Sequence, residues 1–192
     1  ENYYARADES IRSANTPRLW SVYPTAQRPD ALHVTERALA DNGYAVCDTP
    51  AEVAGYRLAL YTRADLPSDV WFNEGTVSRV YDGAGVGLRL VTPLPAETRD
   101  MLDVVLGITL GADVPAETYS FSLRVVDANG TPVTQVDDGL PYPPSFTCRH
   151  VLFRALTAGE YTLSVVVYEW QTGTRLRGVG GEEPILGTFR VR

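Results

Sequence analysis

Residues 119–136 of this 192-residue chain read YSFSLRVVDANGTPVTQV, and their pattern decides the fold. Apolar side chains recur at every second position from Tyr119 to Val125, which is typical of a strand with one buried face. Asn129 and Gly130 separate this run from a second one. An Asn-Gly pair between two such runs is the strongest short-range hairpin signal, because both residues tolerate positive φ. We therefore predict two antiparallel strands joined by a turn.

The polar residues of this stretch have other interpretations. Asn129 opens a glycosylation triplet that ends at Thr131, and the carboxylates of Asp127, Asp137 and Asp138 are oxygen ligands of the kind that bind calcium. A calcium loop of the EF-hand type needs ligands at alternate positions and a closing glutamate. The sequence departs from that pattern after its second ligand. We assign the stretch to a hairpin and predict no metal site.

Short runs of the same kind continue through the second part of the chain, separated by clusters of Gly, Pro, Asp and Asn. Many short strands with such punctuation are typical of an antiparallel sandwich. We therefore predict a β-sandwich, immunoglobulin-like or jelly-roll-like, over residues 67–192. Its predicted strands are 76–81, 87–91, 101–110, 119–127, 132–137, 150–155, 161–169 and 185–191.

Before residue 67 the pattern alternates between helix and strand. A strand, a crossover helix and a second strand suggest a right-handed βαβ unit. Residues 1–66 are thus predicted to form a small α/β segment, and the fold class of the chain is α+β. Trp20 alternates with apolar neighbours and is expected in the core. The predicted helices are 2–14 and 28–43, and the predicted strands are 18–23, 44–48 and 56–62.

Charge and hydropathy exclude some classes of partner. The formal net charge is −7, and the 17 basic residues, all of them arginine, are scattered along the chain. Nucleic-acid binding needs a basic stripe, so we expect no nucleic-acid partner. No apolar run approaches the roughly 20 residues that cross a bilayer. The chain opens at Glu1 and its only methionine is Met101, so we expect a processed product or a piece of a longer protein.

Cys47 and Cys148 leave two alternatives open. Two cysteines are too few for a disulfide scaffold and are wrongly spaced for zinc, so we predict no metal and no cofactor. They either form a disulfide with each other or remain buried thiols that pack as small hydrophobic residues. The sequence favours the thiols, because free cysteine is usually buried.

Cys148 and His150 are the pair that suggests nucleophilic catalysis. Residues two apart on a strand direct their side chains to the same face, and an imidazole beside a thiol favours the thiolate. No nucleophile elbow or oxyanion loop surrounds them. The other histidine, His33, lies inside a predicted helix. We predict no catalytic residue in this chain, which is therefore not expected to be an enzyme by itself.

Three aromatic residues are candidates for ligand binding. Trp71 and Trp170 lie where predicted strands meet loops. Tyr142 lies in the proline-rich segment 141–148, which we predict to be a loop that is either a local elaboration or a binding rim. Such side chains supply a stacking platform for sugars in β-sandwich carbohydrate-binding modules. The alternative is that they pack in the core or at its rim.

The sequence also resembles a known family. The stretches PRLWSVYP (17–24), LADNGY (39–44) and YRLALY (56–61) look like the extracytoplasmic C-terminal region of bacterial membrane glycosyltransferase-like proteins, which are similar to the dolichyl-phosphate-mannose protein mannosyltransferase group. The C-terminal part resembles the β-sandwich that often follows in such proteins. The matching stretches are residues 119–126, DANG (127–130), QVD (135–137), GEYTLSVVVY (159–168) and TRL (174–176). In that family the transfer chemistry is thought to lie in acidic loops among the transmembrane helices. The resemblance therefore implies no catalytic residue here.

The resemblance implies a non-catalytic extracytoplasmic domain of a larger membrane protein, with an accessory or recognition role. Its expected partners are the parent transmembrane region, which would tether it to the membrane, and a glycan or protein acceptor. The alternative is a secreted carbohydrate-binding β-sandwich module.

Overall fold

The chain divides into two compact units, Glu1–Pro67 and Ser68–Arg192. The structure is a computed structural model. It describes residues 3–24, 29–47, 51–66, 68–73, 85–111, 114–115, 117–140, 145–178 and 181–192.

The first unit contains two helices and four strands within its described residues. The helices begin and end close to the predicted positions, and the short strand β3 is additional to the prediction. In chain order the elements are α1 (Tyr3–Ala14), β1 (Arg18–Pro24), α2 (Pro29–Asp41), β2 (Tyr44–Val46), β3 (Ala51–Val53) and β4 (Tyr56–Arg63).

The central strand of this sheet is β4. β1 pairs antiparallel with its whole length on one side, and β2 and β3 pair antiparallel with successive halves on the other side. β1 and β2 are therefore parallel to each other but not neighbours. The predicted βαβ unit is present only in the order of its elements, because β4 inserts between the two strands that α2 connects.

Both helices contribute to one small core with the sheet. Asp8 of α1 is buried, forms an ion pair with Arg12 and accepts a hydrogen bond from the Asn42 side-chain amide at 2.7 Å. This contact ties α1 to the end of α2, while apolar residues fill the space beneath the helices. The buried apolar cluster consists of Ile11, Ala38, Leu39, Tyr44, Ala59 and Tyr61.

The predicted core position of Trp20 is wrong. Residues paired across strands share a face of the sheet, so Leu19, opposite Tyr61, lies on the face of the helix-covered core. Trp20, opposite Leu60, lies on the other face and is 64% exposed. Alternation separates the residues of a strand into two faces, but it does not say which face a neighbouring element covers.

The second unit is built of strands. Six of its strands lie close to the predicted positions 87–91, 101–110, 119–127, 132–137, 161–169 and 185–191. The predicted strand 76–81 lies outside the described residues. The strands are β5 (Val70–Asn73), β6 (Val86–Leu90), β7 (Glu97–Thr98), β8 (Leu102–Leu110), β9 (Tyr119–Asp127), β10 (Pro132–Gly139), β11 (Ser145–Phe153), β12 (Gly159–Glu169), β13 (Arg177–Gly178) and β14 (Ile185–Val191).

Within the described residues these strands form two five-stranded sheets, in the orders β10-β9-β12-β14-β7 and β11-β8-β6-β5-β13. All their pairings are antiparallel except that of β14 with β7. Side chains from both sheets form one buried cluster, to which β8 contributes Leu106, β9 contributes Phe121 and β12 contributes Leu163. Each such side chain contributes about 1.5–3 kcal/mol on burial. The unit is a β-sandwich, as predicted.

The hairpin prediction for residues 127–132 is confirmed. β9 and β10 pair antiparallel around a turn in which Gly130 has a φ of 81°. The Asp127 carboxylate accepts hydrogen bonds from the backbone N–H groups of Asn129 and Thr131, both at 2.9 Å. These hydrogen bonds hold the turn, and they lower the pKa of Asp127, with the bond from Thr131 contributing most. The carboxylate therefore serves the turn.

The predicted loop over 141–148 is wrong in its second half. β11 begins at Ser145, five residues before the predicted strand, and Phe146 and Thr147 pair in register with Thr109 and Ile108 of β8. Prolines at 141, 143 and 144 suggested a loop, but the aromatic and β-branched residues that follow them favour a strand.

Candidate binding surface

The outer face of the sheet that contains β9 and β12 carries a row of polar residues. Phe121, Leu123 and Val125 of β9 point into the core. Because neighbours along a strand alternate between faces, Ser122 and Arg124 point outward. The register places Ser164 of β12 opposite Arg124 on this outer face. The other members are Gln135, Asp137 and Tyr168.

At one end of this row an aromatic hydroxyl and an amide share one carboxylate. The Tyr168 hydroxyl donates to Oδ1 of Asp137 at 3.2 Å, and the Gln135 side-chain amide donates to Oδ2 at 2.9 Å. Partial burial raises the pKa of Tyr168, and the Asp137 carboxylate raises it further. The phenol therefore stays neutral at physiological pH. This end offers a carboxylate, an amide and a phenol hydroxyl, which are groups that hydrogen-bond to hydroxyls.

At the other end the polar side chains hydrogen-bond to each other. Glu183 accepts from Nη1 of Arg124 at 3.2 Å and from the hydroxyl of Ser164 at 2.8 Å. Nε of Arg124 donates to the hydroxyl of Ser122 at 3.2 Å. The Arg124 side chain is only 17% exposed. These contacts hold the segment before β14 onto the sheet, so this end of the row is structural.

Trp170 is the predicted site residue that the structure places on the surface. It directly follows β12, and its backbone N–H donates to the carbonyl of Thr118 at 3.1 Å. The indole Nε1 donates to the carbonyl of Glu117 at 2.6 Å. The residue is nevertheless 56% exposed. A residue held by its backbone N–H and by its ring Nε1, with the ring open to solvent, loses little conformational entropy when a flat ligand stacks on it.

The other two predicted aromatic residues are not brought to this surface by anything in the structure. Trp71 lies in β5, where its backbone is in register with Gly87 of β6, and its side chain lies outside the described part of the molecule. Tyr142 lies outside the described residues. The group of Tyr168, Asp137 and Gln135 could not be predicted from the sequence, because it depends on the register of three strands.

Neither cysteine is free. Cys47 and Cys148 are both buried and both disulfide-bonded, so the expectation of buried thiols is wrong. A disulfide-bonded Cys148 is not available as a thiolate nucleophile. His150 instead hydrogen-bonds through Nε2 to the Asp103 carboxylate on the neighbouring strand β8. His33 is exposed on α2, with Nδ1 3.6 Å from a carboxylate oxygen of Glu36.

Two negative findings apply to the described residues. No group of three or more His, Cys, Asp or Glu side chains among them is arranged to hold a metal ion. None of the helices that the structure describes has the length and apolar character needed to cross a membrane.

No protein-family model and no curated protein sequence matches the chain. It is similar to the structure of a CARDB domain from Pyrococcus furiosus in complex with di-metal ions, at 11% identity and a TM-score of 0.40, over 62% of this chain and 99% of that one. It is also similar to a calcium-binding mutant of β-glucuronidase 2 from Bacteroides uniformis, at 11% identity and a TM-score of 0.39, over 68% of this chain and 15% of that one. A third similar structure is an endonuclease/exonuclease/phosphatase from Beutenbergia cavernae, at 13% identity and a TM-score of 0.33, over 95% of this chain and 58% of that one.

Proposed function

We propose that this chain is a non-catalytic extracytoplasmic domain with an accessory or recognition role in a larger membrane glycosyltransferase-like protein. The observation that carries the extracytoplasmic part is that Cys47 and Cys148 are disulfide-bonded. Disulfides persist in oxidising compartments, whereas the cytosol keeps thiols reduced. The same bond supports the non-catalytic part, because it removes the thiol of Cys148 from nucleophilic chemistry.

The compartment is tested on the protein in its native host cells. Cells are treated with a membrane-impermeant maleimide, before and after mild reduction, and the protein is then recovered and its labelled cysteines counted. We expect labelling only after reduction, together with cleavage by protease added to spheroplasts. Free thiols in a protease-protected protein would place the chain in the cytosol and overturn the proposal.

The tether to a membrane region rests on the resemblance of the segments 17–24, 39–44 and 56–61. Reading the gene on both sides of the coding region tests it. Several apolar spans of about 20 residues, with acidic residues in the first outward loop, would support a transferase domain. A signal peptide alone would favour a secreted module.

A second candidate function, carbohydrate recognition, is favoured by the fixed and exposed ring of Trp170. Tyr168, Asp137 and Gln135 supply hydroxyl-binding groups on the same sandwich, and sugars are recognised by stacking combined with such hydrogen bonds. Titration with mono- and oligosaccharides, followed by tryptophan fluorescence, tests this function. We expect a saturable change that Trp170→Ala abolishes and that Tyr3→Ala, which removes an aromatic ring of similar exposure from α1, leaves intact. The absence of any response would exclude it for the sugars tried.

For the finer architecture we propose an immunoglobulin-like or jelly-roll-like sandwich. The chain passes from one sheet to the other at several points, among them between β8 and β9 and between β10 and β11. Such crossings are typical of Greek-key sandwiches. An experimental structure that follows the chain through every connection tests this assignment.

A further inference from the structure

β1, in the first unit, has one unpaired edge. One side of the strand pairs with β4, and no other described strand pairs with its second side. The N–H of Arg63 donates to the carbonyl of Pro17 at 3.0 Å. Because hydrogen-bonded and non-hydrogen-bonded pairs alternate in an antiparallel ladder, Leu19 and Ser21 bond to β4. Trp20 and Val22 direct their N–H and C=O groups to the open edge.

The side chains around this edge form an apolar groove. Its volume is about 290 Å³, and it runs along β1 between Ile11 of α1 and Leu39 of α2. Trp20 and Val22 also line it and are 64% and 54% exposed. A groove with apolar walls and a row of backbone donors and acceptors on one side suits an extended polypeptide, which brings matching backbone groups and side chains together.

The charge at the start of the strand points to the chemistry of this polypeptide. Arg18 is partly exposed and has no ion-pair partner among the described residues. Four other arginines of this unit each form an ion pair with a carboxylate: Arg12 with Asp8, Arg37 with Asp41, Arg57 with Glu36 and Arg63 with Asp65. An acidic group opposite Arg18 would complete the same pattern.

We propose that the open edge of β1 binds an extended apolar peptide segment that ends in an acidic residue and adds as an antiparallel strand. Its alternate residues lie opposite Val22, Trp20 and Arg18, and the residue opposite Arg18 is acidic. The residues between them point toward the helices and enter the groove beside Ile11 and Leu39. Main-chain hydrogen bonds supply affinity, and the groove and Arg18 supply selectivity.

The charge also decides between partners. β1 of a second copy contains no acidic residue, so antiparallel pairing of two β1 strands would leave both Arg18 side chains without a carboxylate opposite. A stable dimer further needs about 800 Å² from each partner. One edge with two exposed apolar side chains fits a short segment better. The proposed peptide site lies in the first unit and involves none of the residues of the proposed carbohydrate contact in the second.

The probe is the peptide fluorescein-Gly-Ser-Gly-Val-Leu-Val-Ile-Asp-Gly-Ser-amide, whose binding to the full chain is followed by fluorescence anisotropy. In the proposed register its second Val lies opposite Trp20, so its N–H donates to β1, whereas the N–H of its Leu points away. N-methylation of the second Val should weaken binding about tenfold or more, and N-methylation of the Leu should change it by about twofold at most. This pair of peptides is tested on the unaltered protein.

Two substitutions test the protein side. Val22→Pro removes an N–H from the open edge without removing a bond to β4, since proline is tolerated at such edge positions. It should weaken binding about tenfold or more, whereas Val22→Thr keeps the N–H and should bind the peptide nearly as well. Arg18→Gln should weaken binding severalfold, and should no longer distinguish the Asp peptide from its Asn analogue.

Saturable binding with these differences supports the proposal. Lack of saturable binding, or equal binding of the two N-methylated peptides, would overturn it. Concentration-dependent dimers in sedimentation that Val22→Pro abolishes would overturn the choice of partner, because a second copy would then occupy the edge.

Discussion

The Asp127 side chain holds the turn between β9 and β10. Its carboxylate accepts two backbone hydrogen bonds, which lower its pKa below the ordinary value of 3.8. A lowered carboxyl pKa stabilises the folded state above the pKa of the unfolded chain, and that contribution is lost as the pH falls through the folded-state pKa. We therefore expect Asp127→Asn to lower the melting temperature at pH 7 and to have less effect at pH values well below 3.8.

Calorimetry of the two proteins between pH 7 and pH 2.5 measures this difference. Asp127→Ala is the comparison, because it removes the acceptor as well as the charge and should destabilise at every pH. If Asp127→Asn lowered the melting temperature equally at pH 7 and pH 2.5, the charge of Asp127 would not be the source of its effect.

Ala54 is a strained residue in the two-residue turn between β3 and β4. Its φ is 50° and that of Gly55 is 80°, as in a type I′ turn, where Asn-Gly is the preferred pair. For residues other than Gly, Asn and Asp, this conformation costs about 1–2 kcal/mol. We expect Ala54→Asn to raise the free energy of unfolding by about 0.5–1 kcal/mol, measured by urea denaturation.

Gly55→Ala is the matched change at the neighbouring position. No atom lies within 4 Å of the added Cβ, so only the backbone conformation opposes it, and a loss of about 1 kcal/mol is expected. An unchanged midpoint in both variants would mean that the turn does not limit the stability of the chain.

Among the elements, the sequence predicted best those whose structure is set locally. β9, β10 and their turn were found because alternation and Asn129-Gly130 act over a few residues. The start of β11 was missed because prolines before Ser145 suggested a loop. The neighbours of β1 could not be predicted, since the order of elements does not say that β4 inserts between β1 and β2. The same limit applies to the polar row, which needs the register of β9, β10 and β12.

The segment that leads into β14 is held to the sandwich by Glu183. This carboxylate accepts from Arg124 and Ser164, both largely buried, and Glu183→Gln keeps only one of its two oxygens, so one of these donors loses its acceptor. Unsatisfied donors of this kind cost about 1–3 kcal/mol. We expect Glu183→Gln to lower the free energy of unfolding by about 1–2 kcal/mol, measured by urea denaturation followed by fluorescence.

Glu182→Gln is the control, because it makes the same change of charge one residue earlier. Glu182 is about half exposed and lies 3.9 Å from Arg177. An exposed pair of this kind contributes about 0–1 kcal/mol, so the effect of this change should be smaller. Equal losses in the two variants would show that net charge, and not the Glu183 contacts, accounts for the effect.

For the whole molecule, the state of the cysteines could not be decided from their positions. Cys47 and Cys148 are far apart in the sequence, and disulfide formation depends on the distance between their Cα atoms in the folded chain. Free cysteines are usually buried, as disulfide-bonded ones can be, so expected burial could not distinguish thiols from a disulfide. Bonded cysteines, in contrast, bear on the compartment in which the whole protein folds.

Reduction of the disulfide-bonded cysteines should destabilise the chain. A disulfide restricts the unfolded chain and typically contributes about 2–4 kcal/mol, so dithiothreitol should lower the urea midpoint of the native chain by a corresponding amount. The double variant Cys47→Ser, Cys148→Ser should unfold at the midpoint of the reduced protein and should not respond to dithiothreitol. Thiol titration in denaturant, before and after reduction, fixes the redox state in each sample. A midpoint that stays the same after complete reduction would mean that the bond contributes no stability, and its value to the protein would have to lie elsewhere.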